Sequence, residues 1–216
     1  MSDTDSFIEE VSEEVRRDRL FGYVRRYGWL AVLLVVVLVG GAAWNEWNKA
    51  QTRAKAEAFG DAIIAALEGT DRDARSEALA AIEAPNPGAE AVLALLTASE
   101  ESESAPEAAA ARLLALSDMP DVPQVYRQLA VLKAVSIPGS GLDTAVRRER
   151  MEGLAQTGGM VRLLAEEQLA LIEIETGELE AAVARFQRIV EDAEATEALR
   201  QRARQMIVAL GGDPAA

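Results

Sequence analysis

The chain has 216 residues with 36 acids against 22 bases, a formal charge of −14, and it contains neither cysteine nor histidine. That excludes disulfides, thiolate nucleophiles, sulfur-ligated zinc, imidazole metal sites and every His-dependent catalytic triad. Hydrophobic types make up 50 % and aromatics only 5 %; an Ala-, Leu- and Glu-rich chain suits close-packed helices, and the acidic balance argues against nucleic acid.

Residues 1–26 carry seven acids and five arginines, a balance of −2 that leaves −12 for the remainder. Phe7, Ile8, Val11, Val15 and Leu20 fall near helical spacing, so FIEEVSEEVRRDRLFGYVRRYG reads as an amphipathic helix. Such a segment either lies along a membrane surface or meets a partner of its own.

From Tyr27 to Asn45 the sequence YGWLAVLLVVVLVGGAAWN has no charged side chain. As a helix it is about 28 Å long, close to the hydrocarbon thickness of a bilayer. Arg25, Arg26, Tyr27 and Trp29 mark one end and Trp44 and Trp47 the other, the double aromatic belt of a membrane span. A helix packed on a core with one face in water would carry a polar stripe, whereas Leu30 to Val39 is apolar all round. Arg16, Arg17, Arg19, Arg25 and Arg26 precede the span while Lys49, Arg53 and Lys55 follow it. That bias puts the N-terminus in the cytoplasm and the large C-terminal part outside it. The competing reading is a cleaved signal peptide, with Leu30–Val39 as its apolar region and Gly41 and Ala43 as small residues near the cleavage point. The long acidic segment before the span and the aromatics after it favour a permanent anchor, and either reading exports the bulk of the protein.

Trp47, Ala50, Ala54, Ala58, Ala62, Ala65 and Ala66 continue a helical stripe beyond the span, so the helix is expected to run to about Leu67. Residues 46–70 are then an extension of the anchor, with Gly69 to stop the helix and Asp71 to cap the next. Helices are predicted over 72–83, 89–99, 107–116, 125–135, 143–154 and 160–175, with a closing helix over 196–210. The breaks fall at Pro85-Asn86-Pro87-Gly88, at EESESAP, at DMPDVP, at IPGSG and at Gly158-Gly159. No stretch sustains the period-two alternation of a strand. The expected fold is all-α, a single N-terminal transmembrane helix followed over 71–212 by a stack of antiparallel helix pairs.

The segment AEEQLALIEIETGELEAAVARFQRIVEDA (165–193) resembles a tetratricopeptide repeat (TPR), with Gly177 at the turn, Ala182 five residues on, Phe186 four further and Ala170 at the small position of the first helix. Small residues let two helices cross closely while the phenyl ring fills the gap towards the next helix. Glu194 stands where that repeat usually has proline. Leu129-Ala130 followed by Ala145-Val146 is a weaker echo, and 56–118 has helical rhythm without a signature.

The order of parts, RRYGWL entering a span, WNEWNKA leaving it, then a degenerate Ala-rich repeat domain, resembles the YfgM-like family of ancillary subunits of the bacterial Sec translocon. VRRDRLFGYVRRYGWL is similar to the alphaproteobacterial branch in particular, and YRQLAVLKA and AEEQLALIEIETGELEAA add to the likeness. The resemblance implies an inner-membrane protein whose periplasmic TPR-like domain sits beside the translocon and a periplasmic chaperone and assists emerging exported chains. It supplies no catalytic residue to carry over.

An independent search for chemistry adds little. GSG at 139–141 and TGG at 157–159 lack the lysine and preceding strand of a phosphate loop. Glu100-Glu101-Ser102-Glu103 lacks calcium-loop spacing and reads as a solvated loop. Glu166, Glu167, Glu173 and Glu175 read as a polar helix face, and a carboxylate-pair glycosidase would need a cleft that a helix stack does not provide. The expectation is a non-enzyme with no catalytic, cofactor or metal site, no small-molecule substrate and no nucleic-acid partner. It is a membrane-anchored scaffold for proteins. The alternatives are a repeat adaptor for envelope or cell-division assembly and a single-pass signalling regulator acting through the cytoplasmic helix.

Overall fold

The computed structural model describes residues 3–213, with side chains from Arg25 onwards except Ala31. The described residues form helices and no strand: α1 (Asp3–Leu67), α2 (Arg72–Ala80), α3 (Pro87–Glu101), α4 (Pro106–Ser117), α5 (Gln124–Ser136), α6 (Thr144–Ala155), α7 (Gly159–Glu175), α8 (Leu179–Glu191) and α9 (Glu197–Ala209). The fold is all-α. Two compact units divide between Glu57 and Ala58, so the last turns of α1 belong with the helices that follow. The predicted amphipathic face over residues 7–20 lies outside the described side chains.

α1 contains no proline and ends at Leu67, where the alanine stripe predicts. Among the described residues it is the one helix long and apolar enough to cross a membrane, with a mean hydropathy of 2.1 over its most apolar window and none of that window buried. The valines and leucines from Val32 to Val39 are all at least half exposed.

The second unit is built from capped helices around small residues. Asp71 caps α2 by accepting the Ala74 N–H at 2.8 Å. This helix stops at Ala80, short of the expected Glu83, because the chain turns at Ala81 and brings Ile82 against Leu79 and Leu93. Pro85 to Gly88 also does more than break a helix. Asn86 accepts the Ala89 N–H at 3.0 Å and Pro87 occupies the first turn, where its missing N–H is no loss, so this run starts α3. The same helix continues past Ser99 to Glu101, leaving only 102–105 of EESESAP as a turn.

Consecutive helices pack on one another from α2 to α9, except that α5 and α6 touch lightly across the IPGSG turn, and α3, α5 and α7 also meet in succession. Phe59, Ile63 and Ala66 of α1 close over Leu79 and Leu93. Leu113, Leu116, Ala130 and Ala134 fill the next layer, Val135, Met151, Leu169 and Ile172 the third, and Phe186, Ile189, Leu199 and Ile207 the last. Alanines at helix contacts let the backbones approach, which is why so Ala-rich a sequence forms a continuous core.

Candidate functional site

The α7–α8 hairpin brings together the four residues singled out by the repeat resemblance. Ala170, Ala182 and Phe186 are fully buried. Gly177 sits just past the end of α7 with φ +82°, a left-handed conformation that costs other residues roughly 1–2 kcal/mol. Its N–H donates to the Ile174 carbonyl at 3.1 Å and the Glu178 N–H to the Glu173 carbonyl at 2.8 Å, the paired bonds that terminate a helix on glycine. The weaker echo is not reproduced: Ala130 is buried on α5, whereas Ala145 is exposed at the start of α6.

Of the acids of α7 only Glu175 is exposed; Glu173 is buried and Glu166 and Glu167 are half-buried. The Glu173 side chain is 4 % exposed and accepts from Arg185 of α8, whose Nη2 lies 2.6 Å away and whose Nη1 binds Glu166. Glu167 holds Arg202 of α9 at 2.9 Å, and Glu175 holds Arg147 of α6 at 2.5 Å. One helix thus grips three neighbours through carboxylates on different sides. The acids after Ser99 behave likewise: Glu100 binds Arg75 at 2.8 Å, Glu101 binds Arg112 at 2.7 Å and Glu103 binds Arg72 at 2.9 Å. Glu100 and Glu101 lie on α3 and tie α2 and α4 to it, which corrects the expectation of a free loop for these two, whereas Glu103 lies in the turn and is exposed. No group of three or more acidic side chains among the described residues is placed to hold a metal ion.

These pairs set the pH response. The hydrogen bond from Arg150 holds the Asp118 carboxyl below its ordinary range, and that from Arg147 does the same for Glu175. Bonds to Glu173 and Glu166 raise the Arg185 guanidinium. A depressed carboxylate contributes stability above its unfolded pKa and loses it as pH falls through the folded value, while a raised arginine stays charged throughout. With no histidine in the chain, thermal unfolding is expected to be flat from about pH 5.5 to 8 and to weaken below about pH 4. A midpoint that moved by several degrees between pH 6 and 7.5 would contradict this assignment.

Sequence reasoning missed an apolar groove of about 820 Å³ between α2 and α4, both of which pack on α3. Leu93, Ala94 and Thr97 form its floor, with Ala80 and Ala84 on one side and Ala108, Ala111 and Ala115 on the other. The signal was present on α4 as Ala108, Ala111 and Ala115, at i, i+3 and i+7 along one helix face. Only the placement of three helices together turns that spacing into a channel.

At the anchor, the Arg26 guanidinium lies 6.0 Å from the Tyr27 ring centroid, and the rings of Trp44 and Trp47 are 5.4 Å apart and tilted. Trp29, Trp44 and Trp47 are all more than half exposed. The described residues therefore define an all-helical protein with one helix apolar enough to cross a membrane. Comparison with family models, curated proteins and solved structures gives no match to the chain.

Proposed function

We propose that the chain is a membrane-anchored, TPR-like scaffold that holds other proteins at the periplasmic face of the inner membrane, as an ancillary subunit of the Sec translocon. The observation that carries this reading is an apolar helix with no protein cover in the same chain as an all-helical domain. Unshielded valine and leucine side chains are stable only in an apolar medium, and the basic bias before the span supports export of the domain. The α7–α8 hairpin supports the repeat-like character through its buried Ala170, Ala182 and Phe186. The translocon and a periplasmic chaperone enter through the sequence resemblance alone. Anchoring supplies a high effective concentration beside a membrane partner without requiring a new contact, and we assign the protein no reaction.

The absence of native cysteine makes orientation directly measurable with single substitutions. Ser136→Cys, at an exposed position on α5, is expected to react with an impermeant maleimide in intact spheroplasts, and Ser6→Cys only after permeabilisation. The reverse pattern would overturn the orientation. Isolation of the full chain from membranes in mild detergent is expected to bring translocon subunits or a periplasmic chaperone with it. Recovery of a cytoplasmic factor alone, dependent on residues 7–20, would replace the scaffold by a signalling regulator.

A further inference from the structure

We infer that the groove between α2 and α4 is the docking site for a basic amphipathic helix of a partner protein, an assignment that rests on the scaffold reading above. Along α4 the groove follows Ala108 to Leu116, about 12 Å at 1.5 Å per residue, or just over two turns of a docked helix. Five alanines line its walls beside larger apolar side chains and Arg112, whose charge Glu101 already holds, so a partner helix can approach closely along the alanines while its own apolar side chains fill the channel over Leu93 and Thr97. Met119 closes one end with an adaptable side chain.

Charge determines which helix fits. Residues 58–121 hold thirteen carboxylates against three arginines, −10 of the chain's −14, whereas 122–213 hold fourteen acids against eleven bases. All three arginines of the first half are already engaged, Arg72 by Glu103, Arg75 by Glu100 and Arg112 by Glu101. Glu90 lines the groove, and Glu77 and Glu83 lie three residues either side of Ala80 in sequence. None of these three acids enters an ion pair with the domain's own arginines, and all are exposed. An apolar channel inside so negative a half attracts a helix flanked by lysine or arginine and repels both acidic segments and anionic lipid surfaces.

The test uses the full chain in nanodiscs of zwitterionic phospholipid, with empty nanodiscs as the blank. The probes are two labelled synthetic amphipathic helices of Leu and Ala, one with a lysine polar face and one with a glutamate polar face, read by fluorescence anisotropy. The lysine peptide is expected to bind, with affinity that falls as salt rises. Ala111→Trp, which fills the channel from an exposed position, is expected to weaken it at least about tenfold. The triple variant Glu77→Lys, Glu83→Lys, Glu90→Lys changes only exposed side chains and is expected to do the same, so it carries the test if Ala111→Trp unfolds. Val208→Trp, exposed on α9, is the control that leaves binding unchanged. Equal binding of the glutamate peptide, or unchanged affinity in both groove variants, would overturn the site. Self-association of the chain that Ala111→Trp abolishes would also overturn it, by making a second copy the occupant. If the groove variants bind normally while translocon subunits still co-isolate, the groove assignment falls and the scaffold stands. If the variants lose the peptide although no partner co-isolates, the groove stands and the translocon reading falls.

Discussion

Phe186→Ala is expected to destabilise the helical domain by about 3–5 kcal/mol, the usual range for emptying a fully buried aromatic site. The ring is 0 % exposed and packs among Leu163, Ala170, Ile189 and Leu199. These neighbours lie on α7, α8 and the start of α9, so no single side-chain shift closes the void. For a domain of this size each kcal/mol moves the midpoint by about 2–4 °C, which makes the expected drop roughly 6–20 °C. Thermal unfolding followed by circular dichroism reads it directly, with Val208→Ala on an exposed face as a control that stays within about 0.5 kcal/mol. A loss below about 1 kcal/mol would show that Phe186 does not join these three helices.

The second large effect is electrostatic. Arg185→Met removes the partner of Glu173, whose side chain is 4 % exposed, and leaves a carboxylate buried without compensation. Breaking such a pair costs about 3–5 kcal/mol, although replacing both members by apolar groups is often neutral. The double variant Arg185→Met, Glu173→Leu is therefore expected to recover most of the loss. Glu166, a quarter exposed, can rehydrate in that background. A single variant as stable as the wild type would contradict the buried pair, and a double variant no better than the single would show that packing rather than charge is at stake. The cycle also separates stability from function, since neither residue lines the α2–α4 groove.

What could be read in advance divides along physical lines. The apolar span, the end of α1 at Leu67, the Asp71 cap and the Gly177 turn depend on residues close together in sequence, where hydropathy and capping chemistry act locally. The boundaries at Ala80 and Pro87 were less legible, because Ile82 is drawn inwards by a core to which α1 and α3 also contribute, and because Pro87 both ends one segment and starts another. Glu166, Glu167 and Glu173 were misread as solvent-facing for a similar reason. Glu173 and Arg185 are twelve residues apart and Glu167 and Arg202 thirty-five, so nothing in either local pattern announces the partner. The groove shows the limit most clearly: the alanine stripe of α4 looks like core until α2 and α3 are placed beside it and leave its methyl groups facing open space.

The central claim, that an exported helical domain holds protein partners beside the membrane, is tested most directly by photo-crosslinking in living cells. A photoreactive residue at Ala111 in the groove, at Val125 on α5 and at Val208 on α9 samples three exposed faces, and a fourth within residues 7–20 samples the N-terminal segment. The account predicts adducts with translocon subunits, a periplasmic chaperone or emerging exported chains from the domain positions, strongest at Ala111. Adducts formed only from residues 7–20 and only with cytoplasmic proteins, with none from the domain, would contradict it.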